Sequence, residues 1–269
     1  MKVPPPSSDP IGIAKRALTV AGAFLLATTA TTVSMPPATA GIDLFSTPRA
    51  KQARGRVPGR RRGGARRGPC PDTDTQLTAL VAAVEIETQT LPETYVGGIT
   101  TAEHPTFWFD VPYRLNDEAT AEFVLQDDSG QDIYRTTSAE FATANQTPGA
   151  TTPGIIGISL PEALEPLTVG QTYQWYFKVD CGAESPLYVR GGIERVALEP
   201  ALANQLSIIL PLEQVALYQA NEIWYDAVSA ITPLYLAQKD NPTVSAAWTE
   251  LMRSLGLEHL EHIDIVSSS

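Results

Sequence analysis

Hydrophobic and polar residues alternate through the middle of the chain, between residues 77 and 198. The stretch HPTFWFDVPY places Phe107, Phe109 and Val111 on one side of a strand, with mostly polar residues between them. The stretch TAEFVLQDDSGQDIYRTT has the acidic, glycine-containing turn and the apolar flanks of a β-hairpin. About seven short strands fit into this region, and this spacing of strands and turns is typical of a sandwich. The pattern predicts a mainly β fold, with an antiparallel β-sandwich over residues 69–199.

The stretch LTVGQTYQWYFKVDC, residues 167–181, carries the most specific fold signal. Every second residue from Tyr173 to Cys181 falls on one face of a strand. The spacing Leu-x-x-Gly-x-x-Tyr resembles the tyrosine corner of fibronectin type III and immunoglobulin-like domains, in which a tyrosine bonds back to the backbone just upstream. The resemblance implies an immunoglobulin-like or fibronectin-III-like sandwich, although the strand-B cysteine of antibody domains is missing.

After Glu199 the hydrophobic period lengthens to that of helices, which predicts a helical C-terminal region over residues 200–260. Asn221 interrupts the pattern between two helices, Asn241 with the following proline opens a third, and Gly256 closes it. We expect residues 261–269 to form a disordered tail.

Aromatic and small residues in the first two helices give this region two interpretations. Tyr218, Trp224 and Ala227 resemble one tetratricopeptide repeat, although no tandem period is present. The favoured alternative is a helical hairpin that packs on the sandwich. In either case we expect Trp224 and Tyr225 to lie on a surface that binds a partner.

The N-terminal residues 1–40 have the three parts of a secretory signal peptide in order. Lys15 and Arg16 are followed by the apolar stretch ALTVAGAFLLATTA, which is too short to span a ~30 Å hydrocarbon core as a helix. The run ends in Ala-Thr-Ala at Ala40, the pattern that signal peptidase cleaves. We therefore expect a periplasmic or secreted protein without a transmembrane helix in its mature form.

The charge of the chain is strongly divided, although its net value is −11. Residues 41–67 contain nine Lys/Arg and one acidic residue, whereas residues 68–269 contain seven Lys/Arg and 28 acidic residues. A Gly/Arg-rich segment with few large apolar residues cannot bury enough surface to fold, so we expect a disordered linker over residues 41–68. It is either a spacer or a tether to an anionic envelope surface, through Arg60, Arg61, Arg62, Arg66 and Arg67.

Because the protein is expected to be exported and its body is acidic, we expect no nucleic-acid partner for this basic segment. The only two cysteines, Cys70 and Cys181, are predicted to form one disulfide in an oxidising compartment. That bond would close a loop of roughly 110 residues, which the chain-entropy treatment values at about 4–5 kcal/mol.

The sequence assembles no catalytic acid, base and nucleophile, so we expect no enzyme and no cofactor. His104 precedes a proline at a strand start and is expected to be a turn or edge residue. His259 and His262 lie three residues apart near the C-terminus, but they lack the spacing of a zinc motif, and we expect no metal site.

Eight blocks carry a resemblance to a known family. They are GRRRGGARRGPC, LTALV, TAEHPTFWFDVPY, AEFVLQDDSG, TPGIIGISLP, VGQTYQWYF, ERVAL and ALYQANEIWYDAV. In this order and spacing, over residues 55–257, they resemble a cyanobacterial family of exported proteins known as domain of unknown function 928. The resemblance implies an extracytoplasmic protein and supplies no catalytic residue.

The leading functional hypothesis is an extracytoplasmic binding or adaptor module that engages a protein partner through the sandwich and the helical region. Trp108, Tyr176, Trp224 and Tyr225 are the candidate partner surface. A second hypothesis is a structural component of the cell envelope that is held by its basic tail. A third is a carbohydrate-binding domain in which Trp108 and Tyr176 stack on sugar rings.

Overall fold

Ten β-strands and four α-helices are found in the described residues, which are 54–63, 70–88, 91–116, 118–140, 153–182 and 186–261 of a computed structural model. These residues belong to one compact unit, Thr47–Ser269. The predicted signal peptide, Arg66, Arg67 and most of the predicted tail lie outside the described residues. The strands are β1 (Arg56–Pro58), β2 (Thr78–Ala79), β3 (Ala83–Ile86), β4 (Glu93–Thr100), β5 (Thr106–Val111), β6 (Thr120–Gln126), β7 (Asp132–Thr137), β8 (Gly154–Ser159), β9 (Thr172–Asp180) and β10 (Leu187–Arg195).

The strands form two sheets. The larger sheet has the order β1-β4-β10-β9-β6-β7, with β3 also paired to β4, and the smaller sheet has the order β2-β5-β8. All paired strands are antiparallel except β4 and β10, which run parallel. The fold is therefore mainly β as predicted, but the expectation of a purely antiparallel sandwich is wrong for this pair.

Aromatic side chains from the two sheets form the core between them. Phe107 and Phe109 of β5 are buried from the smaller sheet, and Phe123, Trp175 and Phe177 are buried from the larger one. The rings of Phe109 and Phe177 stack with their centroids 4.3 Å apart. The alternation read from the sequence is the reason for this core, because every second side chain of a strand points to the same face.

The predicted disulfide is confirmed, since Cys70 and Cys181 are bonded and their Cα atoms are 5.1 Å apart. The bond joins the start of the second described segment to the end of β9. At the opposite end of β9, the Tyr173 Oη accepts a hydrogen bond from the Thr168 backbone N–H at 2.9 Å. Both ends of this central strand are thus fixed to segments that are not its sheet neighbours.

The C-terminal region is helical as predicted, and it contains the three expected helices preceded by a short additional one. Asn241 caps α4 by accepting a hydrogen bond from the Thr243 backbone N–H at 3.1 Å, and Gly256 follows the helix with a φ of 67°. Both boundary signals were predicted from the sequence. The helices are α1 (Pro200–Leu206), α2 (Pro211–Ala220), α3 (Trp224–Gln238) and α4 (Pro242–Ser254), followed by a 3₁₀ turn at Glu258–Leu260.

The helices share a hydrophobic core with the smaller sheet. Trp248 of α4 stacks on Tyr235 of α3, with ring centroids 4.5 Å apart. Leu80 and Ala82, which flank the end of β2, are buried in the same cluster, and Trp108 of β5 packs against it. The predicted boundary near residue 199 therefore marks a change of secondary structure inside one packed unit and does not separate two domains.

Residues 54–63, which the sequence analysis assigned to a disordered linker, are ordered. Strand β1 pairs with β4, and Arg60 forms an additional bridge with Arg190 of β10. The following residues reach the smaller sheet, where the Gly63 N–H donates to the Leu77 carbonyl at 2.7 Å. The basic segment folds because it uses backbone hydrogen bonds to the sheets, which its composition does not reveal.

Glycines make room where β1 pairs with β4 and comes close to β10. Gly55 and Gly97 have positive φ values of 73° and 130°, which favour glycine. A Cβ atom on Gly97 would overlap the carbonyl oxygen of Gly192, and one on Gly55 would overlap that of Gly98. Three strands can converge at this glycine junction because their backbones approach more closely than side chains would allow.

We predict that Gly97→Ala lowers the free energy of unfolding by more than about 3 kcal/mol, because it adds a steric overlap to an unfavourable backbone conformation. Gly130→Ala is the matched control, since Gly130 also has a positive φ of 81° but has no atom within 4 Å of the added Cβ. The control should cost only about 1–2 kcal/mol in urea unfolding. Equal losses in the two variants would contradict the glycine junction.

Candidate functional site

Tyr225, which the sequence analysis placed on the partner surface, is instead buried. Its Oη accepts a hydrogen bond from Trp175 Nε1 at 2.7 Å and donates one to the Gly192 carbonyl at 2.8 Å. Burial raises the pKa of this phenol above its ordinary value, so it stays neutral. Tyr225 joins α3 to the larger sheet and cannot contact a partner.

The two predicted surface tryptophans lie at the boundary between the sheets and the helices. Trp108 is half-buried, and its Nε1 donates to the Ser229 hydroxyl at 3.1 Å. Trp224 is half-buried beside Gly98 of β4. Both side chains therefore contribute to internal packing. The expectation that Trp108 and Trp224 form an open partner surface is corrected accordingly.

Tyr176 is the one member of that set that lies on an open side of a sheet. The inward-facing residues Trp175 and Phe177 precede and follow it, so its side chain points away from the core. It is paired with Arg190 of β10, and Lys178 is paired with Tyr188 in the same way. These four residues form part of the outer face, which we define as Arg60, Glu122, Tyr176, Lys178, Tyr188 and Arg190.

Arg60 reaches the outer face because the basic segment is part of the fold. Its backbone N–H donates to the Arg190 carbonyl at 2.9 Å, and the Arg190 N–H donates to the Arg60 carbonyl at 2.8 Å. The guanidinium of Arg60 lies over the ring of Tyr188, 4.9 Å from its centroid. A cation–π contact of this kind holds the side chain against the sheet while leaving it exposed.

The charges on the outer face are only partly paired. Lys178 Nζ lies 3.2 Å from a Glu122 oxygen, and Arg135 of β7 also pairs with Glu122. Burial opposes ionisation of Glu122, but hydrogen bonds from these two cations outweigh it and lower its pKa. Within the described residues, no ion pair includes Arg60 or Arg190. On the outer face, Arg60 and Arg190 are therefore the cations without a described carboxylate partner.

A groove adjoins the outer face at the ends of β6 and β9, with a volume of about 530 Å³. Glu122 and Lys178 belong both to the groove and to the outer face. The hydroxyl-bearing residues Thr120 and Thr137 also line it. The combination offers hydrogen-bond donors and acceptors beside a surface that carries aromatic rings and guanidinium groups.

The neighbouring arginines of the basic segment are held by the protein itself. Arg61 donates to the carbonyls of Leu255 and Gly256, the latter at 2.9 Å, at the C-terminal end of α4. Burial is the largest cause that lowers its pKa to about 10, with a smaller contribution from Arg62. The Arg61 side chain is thus not available as a flexible tether.

Arg62 is exposed, and its Nη2 lies 3.1 Å from Nδ1 of His259. Burial and then the nearby arginines lower the pKa of His259. Arg60, Arg61 and Arg62 therefore belong to an ordered part of the fold and do not form a free tether. The other two arginines of the predicted tether, Arg66 and Arg67, lie outside the described residues. Of the remaining histidines, His104 contacts the Leu164 carbonyl through Nε2 at 2.8 Å, and His262 lies outside the described residues.

Two buried carboxylates were missed by the sequence analysis. Asp226 of α3 accepts hydrogen bonds from the Thr101 hydroxyl at 2.7 Å and from its backbone N–H, and burial raises the pKa of Asp226. Asp110 of β5 is 3% exposed, and burial raises its pKa to about 6. A hydrogen bond from Thr75 lowers the pKa but does not outweigh the burial. The only sequence signal for Asp110 was its position inside an apolar strand.

The fold and the outer face define the class of this protein. It is a mainly β protein with two facing sheets, a helical layer on the smaller sheet and an arginine- and tyrosine-bearing face on the larger one. Among the described residues, no helix is long and apolar enough to cross a membrane. The chain belongs to the family described as Domain of Unknown Function (DUF928), whose sequence profile matches residues 62–265. No protein with a curated description matches the chain.

We predict that Arg61→Gln lowers the free energy of unfolding by about 2–3 kcal/mol, because it removes charged hydrogen bonds to carbonyls at the end of α4. Arg62→Gln should change it by less than about 0.5 kcal/mol, since this neighbouring side chain is exposed. Urea unfolding of the two variants measures the difference. A loss from Arg61→Gln no larger than that from Arg62→Gln would show that the contact with α4 is unimportant.

We predict that Asp110→Asn stabilises the protein at pH values above about 6. The raised pKa means that the folded state binds this proton more tightly than the unfolded state. The stability contributed by Asp110 therefore falls as the pH rises from roughly 4 to 6, and the full cost of the buried charge is present above that range. The shift corresponds to an upper figure of about 3 kcal/mol.

Denaturant unfolding as a function of pH measures this effect. The free energy of unfolding of Asp110→Asn should exceed that of the natural chain above about pH 6, and this difference should shrink as the pH falls from roughly 6 to 4. Asp128→Asn serves as the control because Asp128 is exposed in the hairpin turn. This substitution should change neither the free energy of unfolding nor its dependence on pH. A pH-independent difference between Asp110→Asn and the natural chain would contradict the buried ionisation.

Proposed function

We propose that the protein is an extracytoplasmic, non-catalytic binding module and that the outer face is its binding surface. The observation that carries the proposal is the presence of Arg60 and Arg190 on one side of the larger sheet, without a described carboxylate partner. Tyr176 and Tyr188 provide aromatic rings on the same face. Arginine and tyrosine are residue types that dominate the energetics of recognition surfaces.

The extracytoplasmic location is supported by two independent features. The Cys70–Cys181 disulfide is typical of proteins that fold in an oxidising compartment. The N-terminal forty residues have the arrangement of a signal peptide, which implies removal near Ala40.

An immunoglobulin-like topology would make the outer face a natural place for binding. The hydrogen bond between Tyr173 and Thr168 supports that topology, because it spans the corner that precedes β9 as in a tyrosine corner. The order β10-β9-β6-β7 in one sheet and β2-β5-β8 in the other also supports it. In this arrangement the outer sides of β9 and β10 remain accessible, while their inner sides form the core.

The buried carboxylates do not favour an enzyme. The oxygens of Asp226 are occupied by the Thr101 hydroxyl and backbone N–H. Asp110 is enclosed in the protein and is absent from the groove beside the outer face. We therefore assign them to the interior and propose recognition as the task of the surface.

A structural envelope component remains the alternative function. Its tether would rest on the basic residues that precede β1 and on Arg66 and Arg67, because Arg61 is anchored at the end of α4. The binding-module proposal is preferred because Arg60 and Arg190 are fixed by strand pairing, which gives the charges a defined geometry.

The proposal is tested with a photo-crosslinking amino acid placed on either side of the molecule. Gln174 lies on β9 beside the outer face, and Ala246 is exposed on α4. We expect the protein with the probe at Gln174 to crosslink an envelope component in intact cells, and the protein with the probe at Ala246 to give no such product. Products from Ala246 alone would move the binding surface to the helices, and a full-length chain in the cytosolic fraction would refute export.

A further inference from the structure

We infer that the outer face binds an acidic polysaccharide, a chain of sugars that carry carboxylate or sulfate groups. This inference rests on the proposed function and names the ligand class of the same surface. It follows from the unpaired charge on the outer face, from the aromatic ring beside it and from the hydroxyl-bearing residues of the groove at its end.

The first step concerns the two arginines. Arg60 and Arg190 exchange both backbone hydrogen bonds, so they are directly opposite each other on adjacent strands. Like charges in this position repel, and the pair is destabilising unless an anion neutralises it. Their Cα atoms are about 5.5 Å apart in such a pair, so one anionic group or two neighbouring ones can contact both guanidiniums. Guanidinium groups bind carboxylate and sulfate-like oxygens through paired N–H donors.

The second step concerns the rest of the protein, which repels anions. Residues 68–269 contain seven Lys/Arg and 28 acidic residues, so general attraction cannot hold a polyanion on this chain. Lys178 is already paired with Glu122, and Arg135 is paired with Asp132 at 2.6 Å. Among the cations on this side of the larger sheet, this leaves Arg60 and Arg190 without a described carboxylate partner.

The third step concerns what else the ligand must contact. Tyr176 lies next to Arg190 in the register, and its ring is available to stack on the apolar side of a sugar. The groove supplies Thr120, Thr137 and the Glu122–Lys178 pair, which suit the hydroxyl groups of neighbouring sugars. A ring system with both hydroxyls and acidic groups matches all three features.

An acidic protein surface fits this face less well. Protein interfaces have an apolar centre from which water is excluded. The exposed large hydrophobic residues of the described chain are Val84, Leu91, Val169, Leu198, Ile208 and Leu210, and none of them lies on β6, β9 or β10. The outer face offers charge, aromatic rings and hydroxyls without an apolar centre of that kind.

Binding is measured by titrating the mature protein with polygalacturonate at low and high salt, beside neutral dextran and poly-glutamate. We expect polygalacturonate to bind, with affinity that falls as salt increases, and dextran to remain unbound. Arg60→Gln and Arg190→Gln should each weaken polygalacturonate binding about tenfold, the loss expected for a charge-assisted hydrogen bond. Tyr176→Ala should weaken it as well, because stacking is lost.

Arg253→Gln is the matched control, because Arg253 is an exposed arginine on α4 that pairs with Glu250, and it should bind polygalacturonate normally. Arg190→Lys keeps the charge without the paired donors and should give an intermediate affinity. Thermal unfolding of each variant shows whether it is folded. A folded variant series in which Arg253→Gln weakens binding as much as Arg190→Gln would overturn the inference.

Two other results would reject the ligand class. One is binding of poly-glutamate as tight as that of polygalacturonate, which would indicate an acidic protein or a nonspecific charge effect. The other is no binding of polygalacturonate to the folded natural chain at low salt. In both cases, crosslinking from Gln174 to an envelope component would leave the binding module intact with a different ligand, whereas loss of that crosslinking as well would remove both proposals.

Discussion

The close approach of the β1 segment to both β4 and β10 is the constraint on which most of the structure depends. The glycine junction allows three backbones to converge, and it fixes the path of the arginine-rich segment that follows. One residue of this segment, Arg60, is placed on the outer face beside Tyr188. The next residue, Arg61, donates hydrogen bonds to the carbonyls of Leu255 and Gly256, which follow α4. A segment with the composition of a flexible tail thus connects a surface to the helical layer.

The same segment explains why this acidic protein has a basic surface at all. Arg61 is half-buried, and its guanidinium donates hydrogen bonds to the backbone carbonyls of Leu255 and Gly256. Arg60 and Arg190 lie side by side on the outer face because backbone hydrogen bonds pair their strands. Tyr225 connects the helices to the other side of the same sheet. Its hydroxyl donates a hydrogen bond to the Gly192 carbonyl at the glycine junction and accepts one from Trp175 in the core. The outer face and the helices are therefore coupled through the larger sheet.

The sequence was sufficient for features that local patterns control. Alternation located the aromatic core around Phe109, the two cysteines implied their disulfide, and Asn241 marked the start of α4. Local patterns could not predict that β1 is ordered. Its hydrogen bonds join residues far apart in the chain, and its composition is that of disordered segments. Tyr225 was misplaced for a related reason: a helical pattern does not tell which aromatic side chain has a buried polar partner on another element.

The central claim, that the arginine-rich segment is hydrogen-bonded into the two sheets, is tested most directly by hydrogen exchange at its backbone amides. The N–H groups of Gly59, Arg60 and Gly63 donate to carbonyls of Thr94, Arg190 and Leu77, at distances of 2.7 to 2.9 Å. Slow exchange of these three amides, comparable with that of Phe177 in β9, is the predicted result. Exchange at the rate of an unstructured peptide would contradict the account, because β1 would then be a tail that is not part of the sheet.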